Sequence, residues 1–335
     1  MKTTYLLQKF HTTAVGWLAC LTLFFCAAAQ AQQIVISNFG VSANGMPYAV
    51  AMDKGFFRDE GINVTGILSS AGGGTSLRNM LAGGVPYGEV NPTAAIAAIQ
   101  QGADIRIISD NVLTVAEFVW AVKPDSPIKT LADMKGRKIG YTNPRSTSQA
   151  LAQMLIQKGG LKQGDVEMVR TGGFGEGLTA LSGGIVDVAP IPEPLWAKHK
   201  THFRAIANAA DMLPPLTNVV GVTTANMAAE KGDFIRAVIR ARRKAIAFMT
   251  AKPDEAGEIV AKHYNLSKEV GIDAVRNLTT SRTQGLEYWW TGQFNMDGFR
   301  RMVDLQKSVG ALSGDIDLGR MIDPQFLPED LRKSR

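Results

Sequence analysis

The sequence contains very little cysteine: two in 335 residues, Cys20 and Cys26, both near the N-terminus. From residue 27 onward there is none, which excludes disulfide bonds, thiolate nucleophiles and cysteine-ligated zinc from that part of the chain. Histidine is also scarce, and the four histidines form neither a catalytic triad nor a metal-ligand spacing. We therefore predict no catalytic residues, no metal site and no cofactor.

The chain also lacks a strong charge imbalance, with 20% charged residues and a formal net charge of +6. Its densest basic segment is residues 236–244, where apolar residues recur at helical spacing and predict a buried stripe. The basic residues between them are predicted to form the solvated face of that helix: Arg236, Arg240, Arg242, Arg243 and Lys244. Because no aromatic residues are interleaved with them, nucleic-acid binding is not predicted.

One long uncharged apolar stretch stands out, residues 14–29. Lys2 and Lys9 precede it, and it ends in Ala29-Gln30-Ala31, a small-x-small pattern that signal peptidase accepts. The stretch is short for a membrane span of about 20 residues. We predict that residues 1–31 are a Sec signal peptide cleaved after Ala31 and that the mature protein lies in the periplasm.

The rest of the chain alternates short apolar runs with amphipathic segments, among them a predicted helix over residues 47–57 and a predicted strand at residues 186–189. Such alternation predicts α/β units with largely parallel sheets and helices on both faces. We predict a first lobe from residues 32–120, a second lobe from 121–218, and completion of the first lobe with a helical C-terminal tail from 219–335. Two strands would cross between the lobes, near Trp120 and near Val220.

A glycine-rich connection, residues 69–76, lies between a predicted strand and a predicted helix. Its glycines let backbone amides approach a ligand closely, and a helix start favours negative charge. Gly73, Gly74 and Thr75 are therefore candidate ligand-binding residues. A plain glycine-rich connection is the alternative.

A second connection, residues 142–149, contains Arg145, Ser146, Thr147 and Ser148. Pro144 cannot lie inside a helix, so the helix begins just after it, with a hydroxyl residue as its cap. Spare hydroxyls and free amides would form an anion cradle, and Arg145 would grip a carboxylate or sulfonate. An ordinary N-cap with a solvated arginine explains the same pattern.

Other candidates follow neighbouring strands. Glu193, held between Pro192 and Pro194, is predicted to accept a hydrogen bond from a ligand or to pair with Arg145, or else to cap a surface helix. Four more residues are expected at the same mouth, where ligands lie beyond the carboxyl ends of strands: Phe39, Asn44, Asn91 and Thr93. Of the aromatic residues nearby, we expect one or two to contact the ligand: Phe39, Tyr48, Phe118, Trp120 and Trp196.

Three segments resemble a known family, the nitrate/sulfonate/taurine and thiamine-precursor binding proteins. Residues 46–57 read MPYAVAMDKGFF and residues 60–64 read EGINV, similar to the run that follows the first strand in that family. Residues 130–140 read TLADMKGRKIG, which resembles the opening of its second lobe. Glu193-Pro194 matches a glutamate-proline pair late in that lobe.

The resemblance implies a type II periplasmic-binding-protein fold, with two α/β lobes that close on a ligand by hinge motion. It also implies a monomeric solute-binding component of an ABC importer, whose permease subunits would be its partners. The family's pyrimidine-synthase branch uses a cysteine-rich motif that is missing here, so enzymatic activity is not expected. The hydroxyls and Arg145 favour a small organic anion, a sulfonate or carboxylate. Glu193 and the aromatic residues favour a pyrimidine or a taurine-like amine, and an exported sensor on the same fold is a further alternative.

Overall fold

The computed structural model describes residues 32–333. The predicted signal peptide, residues 1–31, lies outside the described residues. Within the described part, no helix is long and apolar enough to cross a membrane.

Most of the strands are short, between two and eight residues. In chain order they are β1 (Gln32–Ser37), β2 (Val64–Ser70), β3 (Gly88–Val90), β4 (Ile105–Val112), β5 (Phe118–Val122), β6 (Lys138–Tyr141), β7 (Glu167–Arg170), β8 (Ala189–Pro192), β9 (Arg204–Asn208), β10 (Val219–Thr224), β11 (Arg282–Thr283), β12 (Leu286–Glu287) and β13 (Trp289–Gly292).

The helices connect these strands and continue after the last crossing between the sheets. They are α1 (Met46–Asp53), α2 (Phe56–Asp59), α3 (Gly73–Gly83), α4 (Pro92–Gln100), α5 (Thr147–Lys158), α6 (Phe174–Ser182), α7 (Leu195–His199), α8 (Ala209–Met212), α9 (Ala225–Glu230), α10 (Gly232–Ala251), α11 (Pro253–Tyr264), α12 (Lys268–Thr280), α13 (Met296–Ser308) and α14 (Leu318–Met321).

A six-stranded sheet in the order β13-β4-β10-β3-β1-β2 defines what we call lobe 1. The strands β1, β2 and β3 are parallel, whereas β10 runs antiparallel to β3 and β4. The β1 residues Ile34, Val35 and Ile36 are fully buried. Burial on both faces explains why this strand reads as a continuous apolar run.

The sheet of lobe 2 repeats this arrangement with fewer residues. The strands β6 and β7 pair in parallel, and β5 pairs antiparallel with both β8 and β9. A parallel bridge between Ile139 and Val188 joins the two groups in the order β7-β6-β8-β5-β9. In each sheet, therefore, the first strand after a crossing lies in the interior and runs antiparallel to both neighbours. This strand is β10 in lobe 1 and β5 in lobe 2.

The chain crosses between the lobes twice, in residues 113–117 and 209–218. Trp120 and Val220, near which crossings are predicted, lie within β5 and β10, immediately after these crossing segments. The backbone amide of Asn218 donates to the carbonyl oxygen of Val112 at 2.8 Å, so the end of the second crossing is bonded to the end of β4, where the first crossing begins.

Two predicted elements differ in detail from the structure. The helix predicted over residues 47–57 is broken into α1 and α2 by Gly55, whose φ of 77° is left-handed. The strand predicted at residues 186–189 begins later, as β8, and includes Pro190 and Pro192. Proline is accommodated there because one side of β8 pairs with β5 while the other meets β6 only through the Val188 bridge.

The helices α11 and α12 pack with almost no space between their backbones. A Cβ atom on Gly257 of α11 would lie 2.7 Å from the backbone nitrogen of Ile272 on α12. We therefore expect Gly257→Ala to lower the free energy of unfolding by about 1–3 kcal/mol, as overpacking does. Urea denaturation would measure it.

Gly175→Ala in α6 is the matched control, because its Cβ would meet no atom within 4 Å. Glycine-to-alanine changes inside helices ordinarily stabilise by about 0.5–1 kcal/mol. A Gly257→Ala protein as stable as the wild type would show that the two helices do not need this close approach.

Candidate ligand-binding site

A small cavity of about 60 Å³ lies between the lobes at the carboxyl ends of their strands. Both lobes and both crossing segments contribute to it. Its lining residues are Ser37, Asn38, Ser42, Asn44, Gly72, Gly73, Val90, Asn91, Glu117, Phe118, Thr142, Ser146, Thr147, Ser148, Phe174, Asn218 and Val219.

Four helices begin at this cavity. The helices α3 and α4 start at Gly73 and just after Asn91 in lobe 1, and α5 and α6 start at Thr147 and Phe174 in lobe 2. Amides in the first turn of a helix have no internal acceptor, and the helix dipole places partial positive charge there. The cavity is therefore electropositive although no lysine or arginine is among its described lining residues.

Hydroxyl groups surround the start of α5. Ser146 caps the helix by accepting a hydrogen bond from the amide of Gln149 at 3.2 Å. The hydroxyl of Ser148 lies 2.9 Å from the hydroxyls of both Ser146 and Thr142. In the described structure the Thr147 hydroxyl bonds no other residue, so it is available to a ligand.

On the lobe 1 side, the cavity rests on a buried polar network. The Asn44 side-chain amide donates to Glu89 Oε1 at 3.0 Å, and the Tyr48 hydroxyl donates to Glu89 Oε2 at 2.6 Å. Arg242 Nε lies 3.4 Å from the same Oε2 atom. Burial raises the pKa of Glu89, while Arg242 and the hydrogen bonds from Tyr48 and Asn44 oppose that rise. This network fixes the position of Asn44 at the cavity.

Arg242 contradicts the prediction that the basic residues of segment 236–244 form a solvated face. Its side chain is 3% exposed. Its guanidinium donates to the carbonyl oxygens of Asn111 at 2.7 Å and Trp290 at 2.5 Å. A buried cation on this face of α10 is stable because Glu89 and these carbonyls compensate its lost hydration.

Two residues from the crossing segments meet at the cavity. The Asn218 side-chain amide donates to Glu117 Oε1 at 2.7 Å and to the carbonyl oxygen of Thr114 at 3.1 Å. Burial raises the pKa of Glu117 to about 8, against the opposing effect of the Asn218 hydrogen bond. The pair thus ties the two crossings together next to the ligand space.

Six of the residues predicted to bind ligand line this cavity: Asn44, Gly73, Asn91, Ser146, Thr147 and Ser148. Three others line a larger outer groove of about 940 Å³: Gly74, Thr75 and Arg145. The groove shares Gly72, Gly73, Asn91 and Ser146 with the cavity, so the two spaces adjoin. Arg145 is exposed there together with Arg78 and Arg170.

Phe39 and Thr93 lie in neither space. Phe39 packs edge-on against Tyr264, with ring centroids 5.1 Å apart. The Thr93 hydroxyl is buried 3.8 Å from the sulfur of Met302. Asn91 and Thr93 are two positions apart at the start of α4, and residues at that spacing do not share a helix face.

Glu193 also lies away from the cavity, and the predicted pair with Arg145 is not formed. Glu193 Oε1 accepts a hydrogen bond from the side chain of Asn277 at 2.9 Å, and Oε2 accepts one from the amide of Ala197 at 3.1 Å. It therefore caps α7 and joins it to α12, which corresponds to the helix-capping alternative.

Several lining residues were not predicted, chief among them Glu117, Asn218 and Phe174. Phe174 forms an aromatic pair with Phe118, with ring centroids 5.6 Å apart. A signal for Glu117 is present in the sequence, because it is the one charged residue between Asp110 and Lys123. Within residues 32–333, no group of three histidine, cysteine or acidic side chains is placed to hold a metal ion.

Comparison with known proteins gives matches along most of the chain. The model of the NMT1/THI5-like family matches residues 42–256. The riboflavin-binding protein RibY of Chloroflexus aurantiacus is 22% identical over 306 residues, covering 84% of this chain and 82% of that protein.

Solved structures match at a similar level. The periplasmic aliphatic sulphonate binding protein SsuA of Escherichia coli has a TM-score of 0.72 at 19% identity, over 89% of this chain and 94% of that one. The desulfurization enzyme DSZB has a TM-score of 0.62 at 15% identity, over 88% and 97%. These likenesses confirm the predicted periplasmic-binding-protein fold, which an enzyme also shares.

Proposed function

The chain belongs to the NMT1/THI5-like family, as its sequence motifs predicted, and from this we propose that it is the solute-binding component of an ABC-type importer. The ligand enters between the lobes, and closure follows because the ligand binds the closed arrangement more tightly than the open one. Export would remove residues 1–31, leaving the mature protein in the periplasm, where the permease subunits of the importer recognise it.

We propose a small organic anion, a sulfonate or carboxylate, as the ligand. The observation that carries this proposal is the convergence of helix starts from both lobes on a hydroxyl-lined cavity. Backbone amides at helix starts bind anions without a cationic side chain. Arg145, Arg78 and Arg170 surround the adjoining groove and would attract an anion to it.

One observation favours a second ligand class. Phe118 and Phe174 both line the cavity, with ring centroids 5.6 Å apart, and add apolar surface to it. A pyrimidine would stack there and present its polar edge to the hydroxyls around Ser146.

A thermal-shift screen of the mature protein tests the proposal. The probes would be ethanesulfonate, propionate, benzoate, taurine and 4-amino-5-hydroxymethyl-2-methylpyrimidine. A ligand at 100 times its Kd stabilises the fold by about 2.7 kcal/mol, which raises the melting temperature visibly. Stabilisation by the anions supports the first class, stabilisation by the pyrimidine alone supports the second, and no shift with any probe contradicts both ligand assignments.

Thr147→Val removes a hydroxyl at the cavity with little change of shape. A hydrogen bond to a charged group contributes about 1.5–3 kcal/mol, so we expect the Kd of the bound anion to rise about tenfold or more. Isothermal titration calorimetry would measure the change.

Thr179→Val is the control, because Thr179 is exposed on α6 and its hydroxyl donates to the carbonyl of Gly175. Equal Kd values for Thr147→Val and the wild type would remove this hydroxyl from the ligand contacts.

A further inference from the structure

Glu117 is the one side chain with an ionisable group among the described residues that line the cavity. It is 2% exposed and lies at the end of the first crossing segment. A carboxylate and an anionic ligand repel each other strongly in a poorly hydrated space. The helix starts and Glu117 can therefore bind the same anion only if the carboxyl group of Glu117 is protonated and neutral.

The two oxygens of Glu117 have different surroundings. Oε1 accepts the hydrogen bond from Asn218, whereas Oε2 is buried without a well-formed hydrogen bond in the described structure. Glu117 also faces the Tyr288 hydroxyl, which is likewise buried without a partner among the described residues. Buried polar atoms are nearly always paired, so Oε2 is expected to bind either the Tyr288 hydroxyl or a ligand group in the cavity that Glu117 lines. Ser37, at the end of β1, also lines the cavity and has a buried hydroxyl with no partner among the described residues.

Among the residues that the structure describes, no cation faces Glu117. Asn218 of the second crossing is neutral, and the titratable group that faces Glu117 among the described residues is the Tyr288 hydroxyl. Burial raises the pKa of Tyr288 well above 10, so this phenol stays neutral as well. Burial likewise raises the pKa of Glu117 to about 8, which supports a protonated carboxyl group near pH 7.

Resting on the proposed capture of an organic anion, we propose that Glu117 binds the ligand as a neutral carboxylic acid. Its Oε2–H donates a hydrogen bond to an acidic oxygen of the ligand, while Oε1 stays bound to Asn218. Glu117 thereby makes anion capture dependent on pH, with no arginine or lysine in the inner cavity. An amine-bearing ligand would instead require the ionised form, and the opposite pH dependence separates the two cases.

The test is calorimetric titration of the mature protein with ethanesulfonate, propionate and benzoate between pH 6 and pH 9.5. We expect constant affinity up to about pH 7.5 and then a fall that approaches tenfold per pH unit above 8, because only the protonated form binds. At pH 9, titrations in buffers of different ionisation enthalpy should show uptake of about 0.9 proton per ligand, since about nine-tenths of Glu117 is then ionised.

Glu117→Gln keeps a donor in the same place and cannot ionise. We expect it to bind at pH 6.5 within about threefold of the wild type and to lose the fall above pH 8. The control is Glu193→Gln, another buried acid, which caps α7 outside the cavity; it should keep the wild-type pH profile. Circular dichroism establishes that each variant is folded. The pH profile and the proton uptake of the wild-type protein test the inference without any variant.

The outcomes separate this inference from the proposed function. Anion binding with a flat pH profile and no proton uptake in the wild type leaves the function standing and overturns the role of Glu117. Affinity for these anions that rises with pH would mean that the ionised carboxyl group favours their binding, and it overturns the role of Glu117 as a neutral donor. No binding of any of the three anions at any pH contradicts the proposed ligand class, and this inference with it.

Discussion

Replacing Arg242 with methionine is expected to lower the free energy of unfolding by about 3–5 kcal/mol, the usual cost of removing one partner of a buried ion pair. The change leaves Glu89 fully buried without its cation. It also leaves the carbonyl oxygens of Asn111 and Trp290 without the guanidinium that binds them. Urea denaturation at pH 7 would measure the loss.

Two further variants identify the cause. Arg243→Met removes the neighbouring arginine of α10, whose partner Asp330 is exposed, and exposed pairs contribute only about 0–1 kcal/mol. Adding Glu89→Gln to Arg242→Met removes the uncompensated charge, so the double variant should recover part of the stability. If Arg242→Met is as stable as Arg243→Met, the buried pair does not hold lobe 1 together.

The second large effect is expected for Asn218→Leu, in the crossing segment that leads into β10. The change removes the donor shared by Glu117 Oε1 and the carbonyl oxygen of Thr114. Each buried acceptor left without a partner costs about 1–3 kcal/mol, so we expect a loss of about 2–6 kcal/mol. Asn208→Leu is the control, because that side chain is exposed at the end of β9 and binds Asp211.

The loss in Asn218→Leu should grow with pH. The folded-state pKa of Glu117 is raised above its unfolded value of 4.5, so its contribution is fully present below that value and falls as pH rises through about 8. Asn218 lowers this folded-state pKa, and without it the destabilisation at high pH deepens. Denaturation at pH 6 and pH 9 should show a larger difference from the wild type at pH 9. An equal difference at both values would mean that Asn218 does not stabilise the ionised carboxyl group.

The fold was predictable because its main signals are local. Apolar runs such as Ile34-Val35-Ile36 are strands buried on both faces. The loops at residues 71–72 and 142–146 come directly after β2 and β6, so each lies at the carboxyl edge of its own sheet. This is why Gly73 and the hydroxyl residues around Ser146 could be placed at a cleft from sequence alone.

The residues that sequence reasoning missed depend on partners far away in the chain. Arg242 is buried because Glu89, 153 positions earlier, lies opposite it. Glu117 faces Asn218, which is 101 positions later. Glu193 is bound by Asn277 of α12, so its side chain turns away from the cleft. Neither helical periodicity nor loop composition contains these pairings, because they form only when distant parts of the chain fold together.

The interior position of β10 also affects the order in which the molecule can be built. This strand lies between β3 and β4, yet it is made only after the whole of lobe 2. While a chain is emerging from the ribosome or from a translocation pore, β3 and β4 therefore lack the strand that joins them. The sheet of lobe 1 closes only once residue 224 has arrived, whereas residues 118–208 already contain every strand of the lobe 2 sheet. Lobe 1, whose first strand is synthesised before any of lobe 2, is therefore completed after the lobe 2 sheet.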